Sequence, residues 1–173
     1  MEFEEYAAAR SAELLRLSFV LTGDHHAAQD LTQATLAKAI TSWSAVSNAR
    51  DPDAYLRKIC VNKYLSWRRR MASREIVTAD PLDAGSDHAH APEDAAERID
   101  LQRLLGRLTP KARAVLVLRY YLDLSTDDIA SLIGSKPATV RSLISRGLVA
   151  ARALLVEDEP AQDRKETGDA HRR

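Results

Sequence analysis

The sequence predicts an all-α protein of two small helical domains joined by a flexible acidic linker. Three observations predict it. The 173 residues are 45% hydrophobic but include only two Trp, five Tyr and two Phe, so the core must be built from Leu, Ala, Val and Ile, a composition that favours helices. Apolar residues recur at spacings of three and four in both halves of the chain. The formal net charge of +0 hides charges that are sorted along the sequence: Ala54 to Arg74 holds seven Lys/Arg and no Asp/Glu, and Glu75 to Glu97 holds seven Asp/Glu and no Lys/Arg.

Taken in order, Leu14, Leu15, Leu17, Phe19 and Leu21 form the apolar side of a first helix that runs to the turn signal "TGD". Ala28, Leu31, Ala34, Thr35 and Ile40 recur at helical spacing in a second helix that ends at Trp43. "SAVSNARDPD", Ser44 to Asp53, is a loop by composition, and Asp51-Pro52 turns into a third helix, with Pro52 tolerated in its first turn.

That third helix contains "YLRKICVNKYLSWRRR", six cations and no anion in sixteen residues. Leu56, Ile59, Cys60, Lys63 and Trp67 share one stripe at spacings of three and four, so Trp67 reads first as the end of a core stripe. Arg57, Lys58, Arg68, Arg69 and Arg70 fall outside the stripe, where they could face phosphate, lipid headgroups or only water.

"TADPLDAGSDHAHAPEDAAE", Thr78 to Glu97, has a single large apolar residue, Leu82, and cannot bury enough surface to offset its ordering entropy. It is expected to be a flexible linker, with His88 and His90 solvated rather than metal-bound; His25 and His26 are read the same way. The division that results is a domain over 1–74, a linker over 75–97, a second domain over 98–156 and a disordered polar tail over 157–173.

In the second domain, Ser125 followed by Asp128 opens a short helix carrying Ile129, Ala130, Leu132 and Ile133, and Gly134 ends it. Pro137 restarts the chain, and Val140, Leu143, Ile144 and Leu148 stripe the helix that follows. Ala130 supplies the small residue where two helices cross, Gly134 the left-handed turn and Val140 the branched anchor, which together make a helix-turn-helix. Its outer face would present Lys136, Ala138, Thr139, Arg141, Ser142, Ser145 and Arg146, with no carboxylate, a set suited to bases and phosphates in a major groove.

Other classes find little support. One cysteine excludes an internal disulfide and any multi-Cys metal centre, and no cofactor or metal is expected. No nucleophile-base pair or phosphate loop points to an enzyme. The acidic start and the absence of about 18 uninterrupted apolar residues predict neither a signal peptide nor a membrane span, hence a cytoplasmic protein.

In these motifs the sequence resembles the bacterial extracytoplasmic-function (ECF, group IV) sigma factors of the sigma-70 superfamily. "LTGDHHAAQDLTQATLAKAITSW" and "DPDAYLRKICVNKYLSWRRR" are similar to their amino-terminal domain, and "LTPKARAVLVLRYYLDLSTDDIASLIGSKPATVRSLISRGLVAAR" to their promoter-binding carboxy-terminal domain. "SRGL" and the compact size look closest to an actinobacterial, SigE-like subgroup. The resemblance implies a protein that binds core RNA polymerase through its beta and beta-prime subunits, directs it to promoter DNA and helps to melt it. A helix-turn-helix regulator working on duplex DNA without polymerase is the alternative. An anti-sigma factor is a common partner in the family.

Site residues follow from the resemblance. It implies polymerase contacts at Asp30, Leu31, Gln33, Ala34 and Lys38. It implies minus-10 contacts, with bases unstacked from a melted strand, at Asn48 and Arg50 in the loop and at Asn62, Lys63, Tyr64, Trp67, Arg68 and Arg69 on the basic helix. Minus-35 recognition is implied for the seven outer-face residues from Lys136 to Arg146. The sequence departs from the family pattern at Asp128, where Glu is common, at Ala138, where Gly is common, and at Leu143, where Arg is frequent and where this chain needs a core residue.

Overall fold

The computed structural model describes residues 2–75 and 102–157, and every regular element among them is helical. The sequence-predicted linker and tail lie outside these residues, apart from their first residues, Glu75 and Glu157. The first half contains α1 (Phe3–Thr22), α2 (His25–Thr41), the short α3 (Trp43–Ser47) and the long α4 (Pro52–Glu75). The second half has a helical stretch over 102–106, then α5 (Pro110–Leu116), which widens into a π-turn over Val117–Tyr121, α6 (Thr126–Ile133) and α7 (Pro137–Glu157).

Local chemistry sets the boundaries. Asp24 caps α2 by accepting from the Ala27 N–H at 2.7 Å, and Asp51 caps α4 by accepting from the Ala54 N–H at 2.9 Å, directly before Pro52. Thr109 caps α5 through the Ala112 N–H at 3.3 Å. At α6 the Ser125 hydroxyl accepts from the Asp128 N–H at 3.1 Å, the cap expected from the sequence, and donates to the Asp128 carboxylate at 2.6 Å, a side-chain bond in place of a capping box's second backbone bond. Gly134 ends α6 at φ 62 with open space around its Cα, so its backbone conformation, and not crowding, is what calls for glycine there.

The expected loop over Ser44 to Asp53 is partly helical, since α3 occupies Trp43–Ser47. Val46 is fully buried, Trp43 packs against the core, and the Ala45 and Val46 amides both donate to the Ser42 carbonyl, which together fold this polar stretch into a turn of helix. The irregular segment shrinks to 48–51. Leu15 and Ile40, which the spacing places on the core stripes, are exposed.

In the first half α1, α2 and α4 pack around Leu14, Leu17, Leu21, Leu31, Leu56, Cys60 and Val61. Trp43 closes one end, its ring centroid 5.4 Å from that of Phe3 and 5.2 Å from that of Tyr6. Where the helices cross, a polar cluster is buried: the Thr32 hydroxyl donates to Ser18 Oγ at 3.1 Å, and Ser18 Oγ lies 3.7 Å from Cys60 Sγ. Burial pushes the Cys60 thiol up from 9.0 to about 11, so it behaves as a small apolar core residue. In the second half α7 lies across α5 and α6, with Ala130 and Val140 buried at the helix-turn-helix crossing. The two halves also touch, because α4 packs against both α5 and α6 and a single apolar cluster runs through the contact.

Candidate nucleic-acid interface

The recognition surface on α7 is built by its own turn. Gly134 and Pro137 aim the helix N-terminus outward, and Val140 together with Leu143, Ile144 and Leu148 holds the opposite side against the core. Lys136, Ala138, Thr139, Arg141, Ser142, Ser145 and Arg146 are all exposed, and the first turn contains no acidic residue. The positive end of the helix dipole, Lys136 beside it and Arg141 close to its first turn give this end a consistently positive potential. Arg146 is steadied by its Nε donating to the Ser142 carbonyl at 3.3 Å.

The basic helix α4 is less uniform. Asn62, Arg68 and Arg69 are exposed and Lys63 is half-buried. Tyr64 is only 2% exposed, which corrects the expectation of a base contact: here its ring is a core group. At about 100° per residue, Asn62 and Arg69 share one side of α4, Lys63 lies nearer Trp67, and Tyr64 and Arg68 share a third direction, Tyr64 buried and Arg68 exposed. Arg69 Nη2 donates to Ser66 Oγ at 3.1 Å on the open side. Trp67 is half-buried against the core, with the Arg68 guanidinium carbon 5.9 Å from its ring centroid. In the preceding loop Asn48 and Arg50 are exposed, and the Asn48 amide donates to the Ser44 carbonyl at 2.7 Å, which fixes its position at the end of α3.

On α2, Asp30, Gln33 and Lys38 are exposed and Ala34 is half-exposed along one ridge, but Leu31 is 6% exposed and belongs to the core. Leu31 is therefore corrected from a surface contact to the residue that seats the ridge. The start of α4 is anchored by anions: the Tyr6 hydroxyl donates to Asp53 at 2.9 Å, and Arg10 pairs with Asp53 at 2.8 Å. Burial beside Asp53 pushes the Tyr6 phenol far above its usual range.

The sequence reading missed Arg113. It is 5% exposed, and its Nε and Nη2 donate to the Val20 carbonyl at 3.1 and 2.7 Å, with Nη2 also donating to Gln102 Oε1 at 2.7 Å. The available signal was a cation inside the apolar run from Ala112 to Leu118.

Two helical domains on one chain, one carrying a helix-turn-helix and the other a polar ridge and a basic helix, define the class of sigma-70-type transcription initiation factors. The Sigma-70 region 2 family model matches residues 3–75, and the Sigma-70, region 4 model matches residues 98–150. The chain belongs to the extracytoplasmic-function RNA polymerase sigma factors. It is 36% identical over 169 residues to the RNA polymerase sigma-E factor of Streptomyces coelicolor, covering 96% of this chain and 94% of that one. It is 30% identical over 159 residues to the ECF RNA polymerase sigma factor SigL of Mycobacterium tuberculosis, covering 90% and 87%. Among solved structures it is similar to the sigma factor RpoE in complex with the anti-sigma factor NepR from Bartonella quintana, with a TM-score of 0.73 and 25% identity over 90% of this chain and 98% of that one. Among the described residues, no helix is long and apolar enough to cross a membrane.

Proposed function

We propose that three surfaces divide the work of initiation. The exposed ridge of α2, Asp30, Gln33, Ala34 and Lys38, docks on the coiled coil of the largest core polymerase subunits. Asn48, Arg50, Asn62, Lys63, Trp67, Arg68 and Arg69 receive the melted minus-10 strand: the loop residues read an extruded base and the cations follow the backbone. Lys136, Ala138, Thr139, Arg141, Ser142, Ser145 and Arg146 read the minus-35 duplex in the major groove. The domain limits that go with this division are 1–74 and 98–156. The protein acts as a non-catalytic polymerase subunit in the cytoplasm. Because the RpoE neighbour was solved with an anti-sigma factor, a protein of that kind is the proposed regulatory partner.

The observation that carries this reading is the exposure of all seven α7 residues on a helix face free of carboxylates. A packing hairpin has no need of such a face, and a regulator acting without polymerase has no need of the α2 ridge and the basic helix.

The test is run-off transcription from fragmented genomic DNA with purified core polymerase, followed by sequencing of transcript 5′ ends. The expected result is a set of starts preceded by one shared pair of elements. Binding to DNA without any polymerase-dependent initiation would favour the regulator reading instead.

A further inference from the structure

Asn48 and Arg50, the two loop residues proposed to read an extruded base, are carried by different helices. The Asn48 side-chain amide donates to the Ser44 carbonyl at 2.7 Å and its backbone N–H to the same carbonyl at 3.3 Å, so Asn48 moves with α3. Arg50 directly precedes Asp51, which caps α4 through the Ala54 N–H at 2.9 Å and pairs with Arg57 at 3.6 Å, so Arg50 moves with α4. The placement of one reader relative to the other is therefore the placement of α3 relative to the start of α4.

α3 has five residues and is too short to hold itself as a helix. It packs on α2 and α4 with Val46 fully buried, an apolar contact that fixes how close it lies but does little to fix its direction. Direction is supplied by α1. Tyr6, 3% exposed, touches both flanks of the loop: its ring centroid lies 5.2 Å from that of Trp43 at the start of α3, and its hydroxyl donates to Asp53 Oδ1 at 2.9 Å in the first turn of α4. Phe3 meets the same Trp43 ring edge to face, with centroids 5.4 Å apart.

Arg10 takes the second Asp53 oxygen, Oδ2, at 2.8 Å. That ion pair is partly exposed and adds little stability, but together with the Tyr6 hydroxyl it engages both carboxylate oxygens and fixes their orientation. Burial beside Asp53 keeps the Tyr6 phenol protonated, and hence a donor, well past neutral pH. Tyr6→Phe would fill the same space and keep the contact with Trp43, so what the hydroxyl adds is the tie to Asp53.

We propose that Tyr6 is a positioning residue for base recognition: it ties the start of α3 to the start of α4 across the loop over 48–51, and so holds Asn48 and Arg50 at the mutual distance and angle that one base requires. The inference rests on the reading of that loop as the base reader. Hydrogen bonds weaken steeply off line, so a loop displaced by about 1 Å would still hold a strand through the cations nearby but would no longer prefer one base.

Base preference tests it. Holoenzyme affinity is measured by fluorescence anisotropy for minus-10 non-template single strands from a recovered promoter, with each position carrying each of the four bases in turn. Tyr6→Phe should reduce the preference at one position by about fivefold or more while the minus-35 duplex is bound as before. Asp53→Ala should do the same, and Asp53→Asn, which keeps an acceptor for the hydroxyl, should retain most of the preference. Ile59→Val, a core change on α4 of similar expected cost in urea unfolding, should leave the preference intact. In the free full chain, amide hydrogen exchange over 44–53 should be faster in Tyr6→Phe and unchanged over α2.

Unchanged preference or unchanged exchange in Tyr6→Phe, or an equal loss of preference in Ile59→Val, overturns the positioning role. Asp53→Asn as damaging as Asp53→Ala would move the role to the Arg10 pair and overturn the part given to Tyr6. Asn48→Ala with Arg50→Ala separates this inference from the reading beneath it. If the preference survives that pair, the loop is not the reader and the positioning role fails with that reading; if the pair abolishes the preference and Tyr6→Phe leaves it unchanged, the reading stands and only the positioning role falls.

Discussion

The two basic surfaces of this protein differ in readiness. On α7 all seven candidate residues are exposed and the helix is braced from behind, so the surface proposed for duplex DNA is already formed. On α4 the candidates are mixed: Asn62, Arg68 and Arg69 are exposed, Lys63 and Trp67 are half-buried, and Tyr64 is in the core. A duplex presents its grooves in advance, and a rigid complementary helix is enough to read it. A melted strand exists only after polymerase has engaged the promoter, and the surface proposed for it mixes exposed cations with Lys63 and Trp67, which are half-buried.

The contrast is most exposed to disproof at Tyr64. If the ring is core, Tyr64→Ala should destabilise the protein by about 3–5 kcal/mol and Tyr64→Phe by far less, measured by urea unfolding. A stable Tyr64→Ala protein with a selective minus-10 defect would restore the base-contact reading. On α7, Arg141→Ala with Arg146→Ala should weaken holoenzyme binding to minus-35 duplex by about 100-fold, since each good base or phosphate contact contributes about 1–3 kcal/mol. Arg68→Ala with Arg69→Ala should slow open-complex formation about tenfold while leaving duplex affinity nearly unchanged, measured by permanganate footprinting and filter binding. A smaller loss is expected at the turn that aims α7: Gly134→Ala should cost about 1 kcal/mol in urea unfolding, because alanine is strained at φ 62 although there is space for its methyl group.

The sequence was a good guide wherever local chemistry decides the structure. Ser125, Gly134, Pro137 and Val140 set the helix-turn-helix through caps, a left-handed turn and one anchor, all within one short stretch of chain. Lys136 to Arg146 were legible as a surface because helical spacing separates the exposed positions from the buried stripe of Val140, Leu143, Ile144 and Leu148.

What depended on distant packing was not legible. Tyr64 and Leu31 read as surface contacts because the resemblance ran through them, but partners remote in sequence bury both. α3 was hidden because a polar composition outweighed Val46 and Trp43, whose partners Phe3 and Tyr6 are remote in sequence. Arg113 was missed because its partner, the Val20 carbonyl, lies 93 residues away and belongs to the backbone, which carries no sequence signature.

The division of labour between the two basic surfaces can be read from fluorescence anisotropy of the holoenzyme on two probes from one recovered promoter, a minus-35 duplex and a minus-10 non-template single strand. A double dissociation is expected: Arg141→Ala with Arg146→Ala weakens the duplex probe alone, and Arg68→Ala with Arg69→Ala weakens the single strand alone. Equal losses on both probes from either pair would contradict it.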